Sequence, residues 1–128
     1  MSPFRVRLEQ LAEDALVVIR GGDLDPVVLR RDAIAAFRRF GEYGVSVFAA
    51  ADRDALDELA RHRLVRFEAL AIMTAGAIRA IDLEVRPTFR RPHYTVMLPD
   101  IDRDIHRLTV CEHVKWVNPH FRHPEERP

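Results

Sequence analysis

The chain has 128 residues, twenty basic and twenty acidic side chains and a formal net charge of zero, so no global field draws it toward nucleic acid or an anionic membrane. Its apolar share of 48% and charged share of 31% exclude a disordered or disulfide-stapled chain. The longest apolar runs, ALVVI and ALAIM, fall far short of the roughly twenty residues of a membrane span, so no membrane segment is expected.

This length fits one domain that buries about two thirds of its unfolded surface. The opening MSPFRVRLEQLAED has no apolar core of the secretory type, and a cytoplasmic location follows as the expectation. The single Cys111 fits a reducing compartment and reads as a small buried hydrophobe. Of the twenty basic residues only Lys115 is a lysine, and this arginine bias lowers what any single arginine says about function.

Residues 15–19, ALVVI, form a partly β-branched apolar run stopped by Gly21 and Gly22, which predicts a buried strand with Arg20 at its tip. Asp25 is a good N-cap with Pro26 at the first helical position, and residues 26–41 carry apolar side chains at helical spacing up to Gly41. EYGVSVFAA reads as a second strand, and Asp52 caps a second helix, RDALDELARHRL. VRFEALAIM predicts a third strand, and Thr74 caps the short helix AGAIRAI.

LEVRPT and HYTVMLP predict two strands joined by FRRP as an antiparallel hairpin. DIDRDIHRLTVCEHV begins like a capped helix, and residues 118–128 read as a loose polar tail after a single domain over 1–117. The order is β-α-β-α-β-α-β-β-α. Its late hairpin favours an α+β fold, with mixed α/β as the alternative.

RGGDLDP has neither the spacing of a dinucleotide fingerprint nor that of a P-loop. Arg20 keeps two readings, a bidentate clamp on a phosphate or carboxylate, or an ion pair with Asp23 or Asp25. Ser46 lies in GVSVF, which has only the first glycine of a nucleophile elbow, so a serine hydrolase is not expected. HYT matches the H-x-T element of two-histidine phosphoesterases, but the second copy that fold requires is missing.

RPTFRRPHYT gathers Arg86, Arg90 and Arg91 with Phe89, His93 and Tyr94, a mix suited to phosphate contact, base stacking and proton transfer. A solvated connection whose arginines pair with Asp100, Asp102 and Asp104 accounts for the same residues. Cys111, His113, His120 and His123 lack a familiar zinc spacing, and no metal site is assigned. Trp116 and Phe121 are read as docking the tail or meeting a partner.

The order strand-arginine, helix, strand with VSVFAA, then a helix opening on DRDALDELA resembles the first half of ADP-ribosyltransferase-like proteins, including the small RES-type bacterial toxins, over about residues 15–70. The resemblance implies an NAD-using enzyme, with Arg20 meeting the NAD phosphates or ribose and Tyr43 or Ser46 on the next strand. The glutamate that orients the ribose stays open between Glu58 and Glu68, because neither an S-T-S triplet nor a Q/E-x-E is present.

The leading expectation is therefore a small toxin or accessory factor using NAD, with Arg20, Tyr43, Ser46 and His93 at the catalytic site and Arg20 and Arg86 on the cofactor. A first alternative is an RNA-directed nuclease or RNA-binding module using Arg86, Arg90, Arg91 and Tyr94. A second is a non-enzymatic interaction domain whose partner is a cognate antitoxin or a homodimer mate.

Overall fold

A computed structural model describes residues 4–126. Residues 1–3 of the expected domain and 127–128 of the expected tail lie outside the described residues. The elements are β1 (Leu16–Arg20), α1 (Pro26–Phe40), β2 (Gly44–Ala50), α2 (Arg53–Arg63), β3 (Ala69–Thr74), α3 (Ala75–Ala80), β4 (Val85–Pro87), β5 (His93–Met97), α4 (Ile101–Thr109) and β6 (Val114–Val117). The strands form one sheet in the order β4-β5-β2-β1-β3-β6. Every pairing is antiparallel, so the class is α+β.

The helices start where capping chemistry dictates. Asp25 Oδ1 accepts from the Val27 amide at 2.9 Å, Asp52 Oδ1 from Ala55 at 2.8 Å and Thr74 Oγ1 from Ala77 at 3.1 Å. Each such cap contributes about 1 kcal/mol by satisfying an amide that the helix cannot. The double glycine has two separate reasons. Gly21 sits at φ +86°, a conformation that disfavours side chains, while a Cβ on Gly22 would stand 2.7 Å from Ala69 Cβ and 2.6 Å from the Lys115 side chain.

One strand is added to the expected order. The helix predicted over residues 100–114 stops at Thr109, and Val114–Val117 pairs with the edge of β3, Ala69 opposite Val117 and Ile72 opposite Val114. Four residues carry too short an alternation to be read as a strand from the sequence alone. The start of the expected loose tail is pinned to the body. Buried Asn118 donates its amide to the carbonyls of Leu64 at 2.9 Å and Phe67 at 3.1 Å, and the Arg122 amide donates to Val65.

The two faces of the sheet differ. On one, alternate residues such as Val17, Ile19, Val45 and Val96 pack under α1, α3 and α4 through Leu29, Ala33, Ile78 and Leu108 in a closed core. On the other, α2 covers Val18, Leu70 and Ile72 with Leu56, Leu59 and Ala60. Strand alternation brings Ser46, His93 and Thr95 out on this second face, where they line a cleft and not a core. Among the described residues no helix is long and apolar enough to cross a membrane.

Candidate functional site

The cleft has a volume of about 420 Å³, and Arg20, Ser46, His93 and Thr95 line it with Phe4, Phe40 and Phe89. Sheet register explains the convergence. Ser46 is opposite Thr95 and Phe48 opposite His93 in the β2–β5 ladder, while the β1–β2 register, continued past Val18 and Phe48, sets Arg20 opposite Ser46. Gly44 keeps the floor open, since a Cβ there would stand 2.5 Å from Thr95 Cγ2.

The base that Ser46 lacks in its own segment is His93, forty-seven positions along the chain, with Ser46 Oγ 2.6 Å from its Nε2. The other ring nitrogen, Nδ1, lies 2.9 Å from Thr88 Oγ1 and 3.3 Å from the Thr88 carbonyl. A carbonyl can only accept, so the proton belongs on Nδ1 and the Nε2 lone pair faces the Ser46 hydroxyl. Thr88 Oγ1 in turn meets Thr95 Oγ1 at 2.7 Å, which ties all four side chains into one chain of hydrogen bonds.

Burial holds the His93 imidazole below its ordinary value of 6.5, and the nearby charges of Arg7 and Arg20 add to this against the opposing pull of the Thr88 carbonyl. His93 is therefore neutral at neutral pH and able to take a proton, the state a general base requires.

A clamp holds both ends of the loop that leads from Thr88 to His93. Arg7 donates to the carbonyls of Thr88 at 2.6 Å and His93 at 2.9 Å, and its guanidinium lies 4.8 Å from the Tyr94 ring centroid. Glu9 accepts from Arg7 at 2.8 Å and from the Tyr94 hydroxyl at 2.9 Å. Its hydrogen bond from Arg91 is the largest cause holding its carboxyl down at about 2, with Arg7 and Tyr94 adding to it against the cost of burial. Within the loop Phe89 adopts φ +57°, a strained conformation for an aromatic residue, and its ring packs 5.2 Å from Phe40 and 5.0 Å from His93.

A second cleft of about 750 Å³ shares Arg39, Phe40, Phe89 and His93 with the first and adds Arg5, Arg63, Arg90 and Phe48. Most of the other described arginines have a carboxylate partner: Arg7 has Glu9, Arg30 has Asp102, Arg61 has Glu58, Arg79 has Glu13, Arg86 has Glu84 and Glu42, Arg91 has Glu9, and Arg103 and Arg107 have Asp104. In contrast, Arg5, Arg20, Arg39, Arg63 and Arg90 have no ion pair among the described residues. Arg31, Arg38 and Arg53 also lack one but line neither cleft. Against the five cleft arginines stands one lining carboxylate, Asp32.

The residues expected at the site separate into two groups. Arg20, Ser46 and His93 come together, and Arg20 pairs with neither Asp23 nor Asp25: Asp25 caps α1, Asp23 lies 3.7 Å from Lys115, and the Arg20 guanidinium lies 5.9 Å from the Phe67 ring centroid. Tyr43 is elsewhere, stacked on Phe37 with ring centroids 4.5 Å apart against the closed core. Arg86 sits opposite Thr95 in the β4–β5 ladder, but Glu84 and Glu42 engage its guanidinium in a neighbouring groove.

The basic hairpin is split as well. Arg90 reaches the second cleft, Arg91 is held by Glu9, and Tyr94 points into the closed core with its hydroxyl on Glu9. None of these arginines pairs with Asp100, Asp102 or Asp104, which serve α4 and Arg30. Glu58 pairs with Arg61 and His62 on α2, and among the described residues no glutamate lines either cleft.

The C-terminal histidines are dispersed. His113 Nδ1 meets the Cys111 carbonyl, His120 pairs with Asp57, and His123 lies against Phe121. No group of three or more His, Cys, Asp or Glu among the described residues is placed to hold a metal ion. Burial pushes the Cys111 thiol up, away from thiolate chemistry. Trp116 packs half-buried on the α2 cluster and lines a groove beside β6.

Thr88, Arg39, Arg5, Arg63 and Asp32 escaped the sequence reading. Thr88 alone left a trace, as the polar residue between Pro87 and Phe89 in the hairpin already singled out. Compared with known proteins, the chain matches no family model, no curated protein and no solved structure.

Proposed function

We propose that the protein takes a phosphate-bearing nucleotide into the Arg20 cleft and uses the Ser46–His93 pair to act on it. The observation that supports this reading best is the 2.6 Å contact between Ser46 Oγ and the unprotonated nitrogen of His93, in a cleft whose arginines have no carboxylate partner. A neutral imidazole takes the hydroxyl proton as Ser46 Oγ bonds to phosphorus and gives it to the oxygen whose bond to phosphorus breaks; water, losing a proton to the same imidazole, then displaces Ser46 Oγ, which takes that proton back. The arginines supply what a phosphoryl group needs, bidentate donors and a charge that stays on at every relevant pH.

NAD, which the sequence resemblance implies, carries a pyrophosphate that such donors suit, and it heads the ligands to test. The absence of a lining glutamate among the described residues leaves the ribose-orienting part of an ADP-ribosyl transfer without a candidate here, so the proposal rests on phosphate recognition. A panel of NAD, ADP-ribose and uridine 5′-monophosphate at millimolar concentration is expected to raise the melting temperature of the wild type and not of Arg20→Ala. His93→Gln is expected to keep binding and to lose about 10²- to 10⁴-fold in turnover, the usual worth of such a proton transfer. A panel in which no phosphate ligand shifts the melting temperature sinks the reading.

A further inference from the structure

We infer that the two joined clefts form a track for a single-stranded polynucleotide, with Arg5, Arg63 and Arg90 binding phosphates beyond the one held at Arg20. This rests on the phosphate-ligand reading above and extends it to a substrate class. Three features on the page carry it.

The first is extent. The clefts share Arg39, Phe40, Phe89 and His93, so they adjoin, and His93 stands where they meet with Ser46 beside it in the first. The adjacent phosphates of a dinucleotide occupy one point. Five arginines without ion pairs, drawn from the N-terminal segment, β1, α1, α2 and the β4–β5 loop, instead match charges repeated along a chain.

The second is charge segregation. In a chain of zero net charge most arginines outside the clefts have acidic partners, while the clefts concentrate cations against Asp32 alone. Such a field acts locally, within a screening length of about 8 Å at physiological salt.

The third is ring placement. Phe48 and Phe89 flank His93, edge-on at 6.1 Å and tilted at 5.0 Å between centroids, and both rings are partly exposed beside the arginines. Bases of a single strand are free to stack on such rings, whereas those of a duplex are not.

The test uses the full chain and fluorescein-labelled octauridylate, with octathymidylate, duplex RNA and uridine 5′-monophosphate as comparison ligands. The octamer is expected to bind at least roughly tenfold tighter than the mononucleotide, the worth of about one stacked base. Its log affinity is expected to fall with log salt at a slope of about −3, as for four phosphates of a single strand. The double variant Arg63→Ala, Arg90→Ala is expected to flatten that slope by about 1.4 and to leave mononucleotide binding unchanged. Circular dichroism melting of the same variant checks that it remains folded.

An octamer that binds no tighter than the mononucleotide, an unchanged slope in the folded double variant, or equal affinity for duplex RNA each overturns the track while leaving the Arg20 site standing. Failure of both the mononucleotide and the octamer removes the phosphate site and the track together. Octauridylate and octathymidylate both binding supports backbone recognition, and a preference for one identifies the strand.

Discussion

The two faces of the sheet are built from the same alternating strands and serve opposite ends. The face under α1, α3 and α4 is filled with side chains such as Val17, Ile19, Ile78 and Leu108, all nearly or fully removed from water. On the other face α2 covers one part with a second, smaller core. The remainder keeps polar residues at the same strand spacing, Ser46 and Thr95 on adjacent strands, with Arg20 at the tip of β1. A sheet of six strands has enough closed core on one side to leave part of the other to a cleft, and side chains there answer to hydrogen bonding and charge before packing.

The comparison breaks most severely by emptying the closed face. Leu108→Ala removes a fully buried side chain and is expected to cost about 2–5 kcal/mol in urea denaturation, through lost transfer energy and the cavity left behind. Ligand binding by the fraction that stays folded is expected to be unchanged, because Leu108 packs on the opposite side of the sheet from His93.

Thr88→Val probes the boundary between structure and site. Thr88 is fully buried and its hydroxyl joins His93 Nδ1 to Thr95 Oγ1, so an isosteric valine strands the Thr95 hydroxyl and is expected to cost about 1–3 kcal/mol. The same change frees the imidazole to reorient, and the His93 titration followed by NMR is expected to move. An unaltered His93 titration would show that Thr88 does not position the ring.

The pH dependence of stability separates the faces without mutation. Because His93 has a folded pKa below 6.5, the folded state binds fewer protons than the unfolded chain once the pH drops. The stability tied to neutral His93 is thus fully present above about 6.5 and declines as the pH falls from there toward its lowered folded value. His93→Gln is expected to flatten urea midpoints across that window, and an unchanged slope would mean that burial of this ring has no energetic consequence.

The smallest expected effect lies at the cleft itself. Arg20 is exposed and without an ion pair, so Arg20→Ala is expected to change stability by no more than about 0.5 kcal/mol. A larger loss in thermal or urea unfolding would make Arg20 a structural residue and erase the division of labour between the faces.

Much of this molecule was legible in its sequence because the relevant forces are local. The caps Asp25, Asp52 and Thr74, the αL glycine Gly41 ending α1, and the apolar runs of β1, β2 and β3 each follow from neighbours within a few positions. The antiparallel hairpin and the α+β class followed from their order. Strand β6 did not, because VKWV gains its place only by pairing with β3, and neither did the anchoring of Asn118 in the carbonyls of Leu64 and Phe67.

Arg20, Ser46 and His93 could be named as chemistry-bearing residues from their types and segments, but their meeting depends on β5 lying beside β2 and β2 beside β1. The same register turned Tyr43 toward the closed core, while Arg86, opposite Thr95, was taken by Glu84 and Glu42. Which arginines stay without a carboxylate is likewise decided by partners such as Glu9 for Arg91 and Glu42 for Arg86, each dozens of positions away along the chain. Local propensity determines where strands and helices begin and end; contacts between distant strands decide which side chains share a cleft, because a side chain's face and neighbours exist only once the sheet has formed.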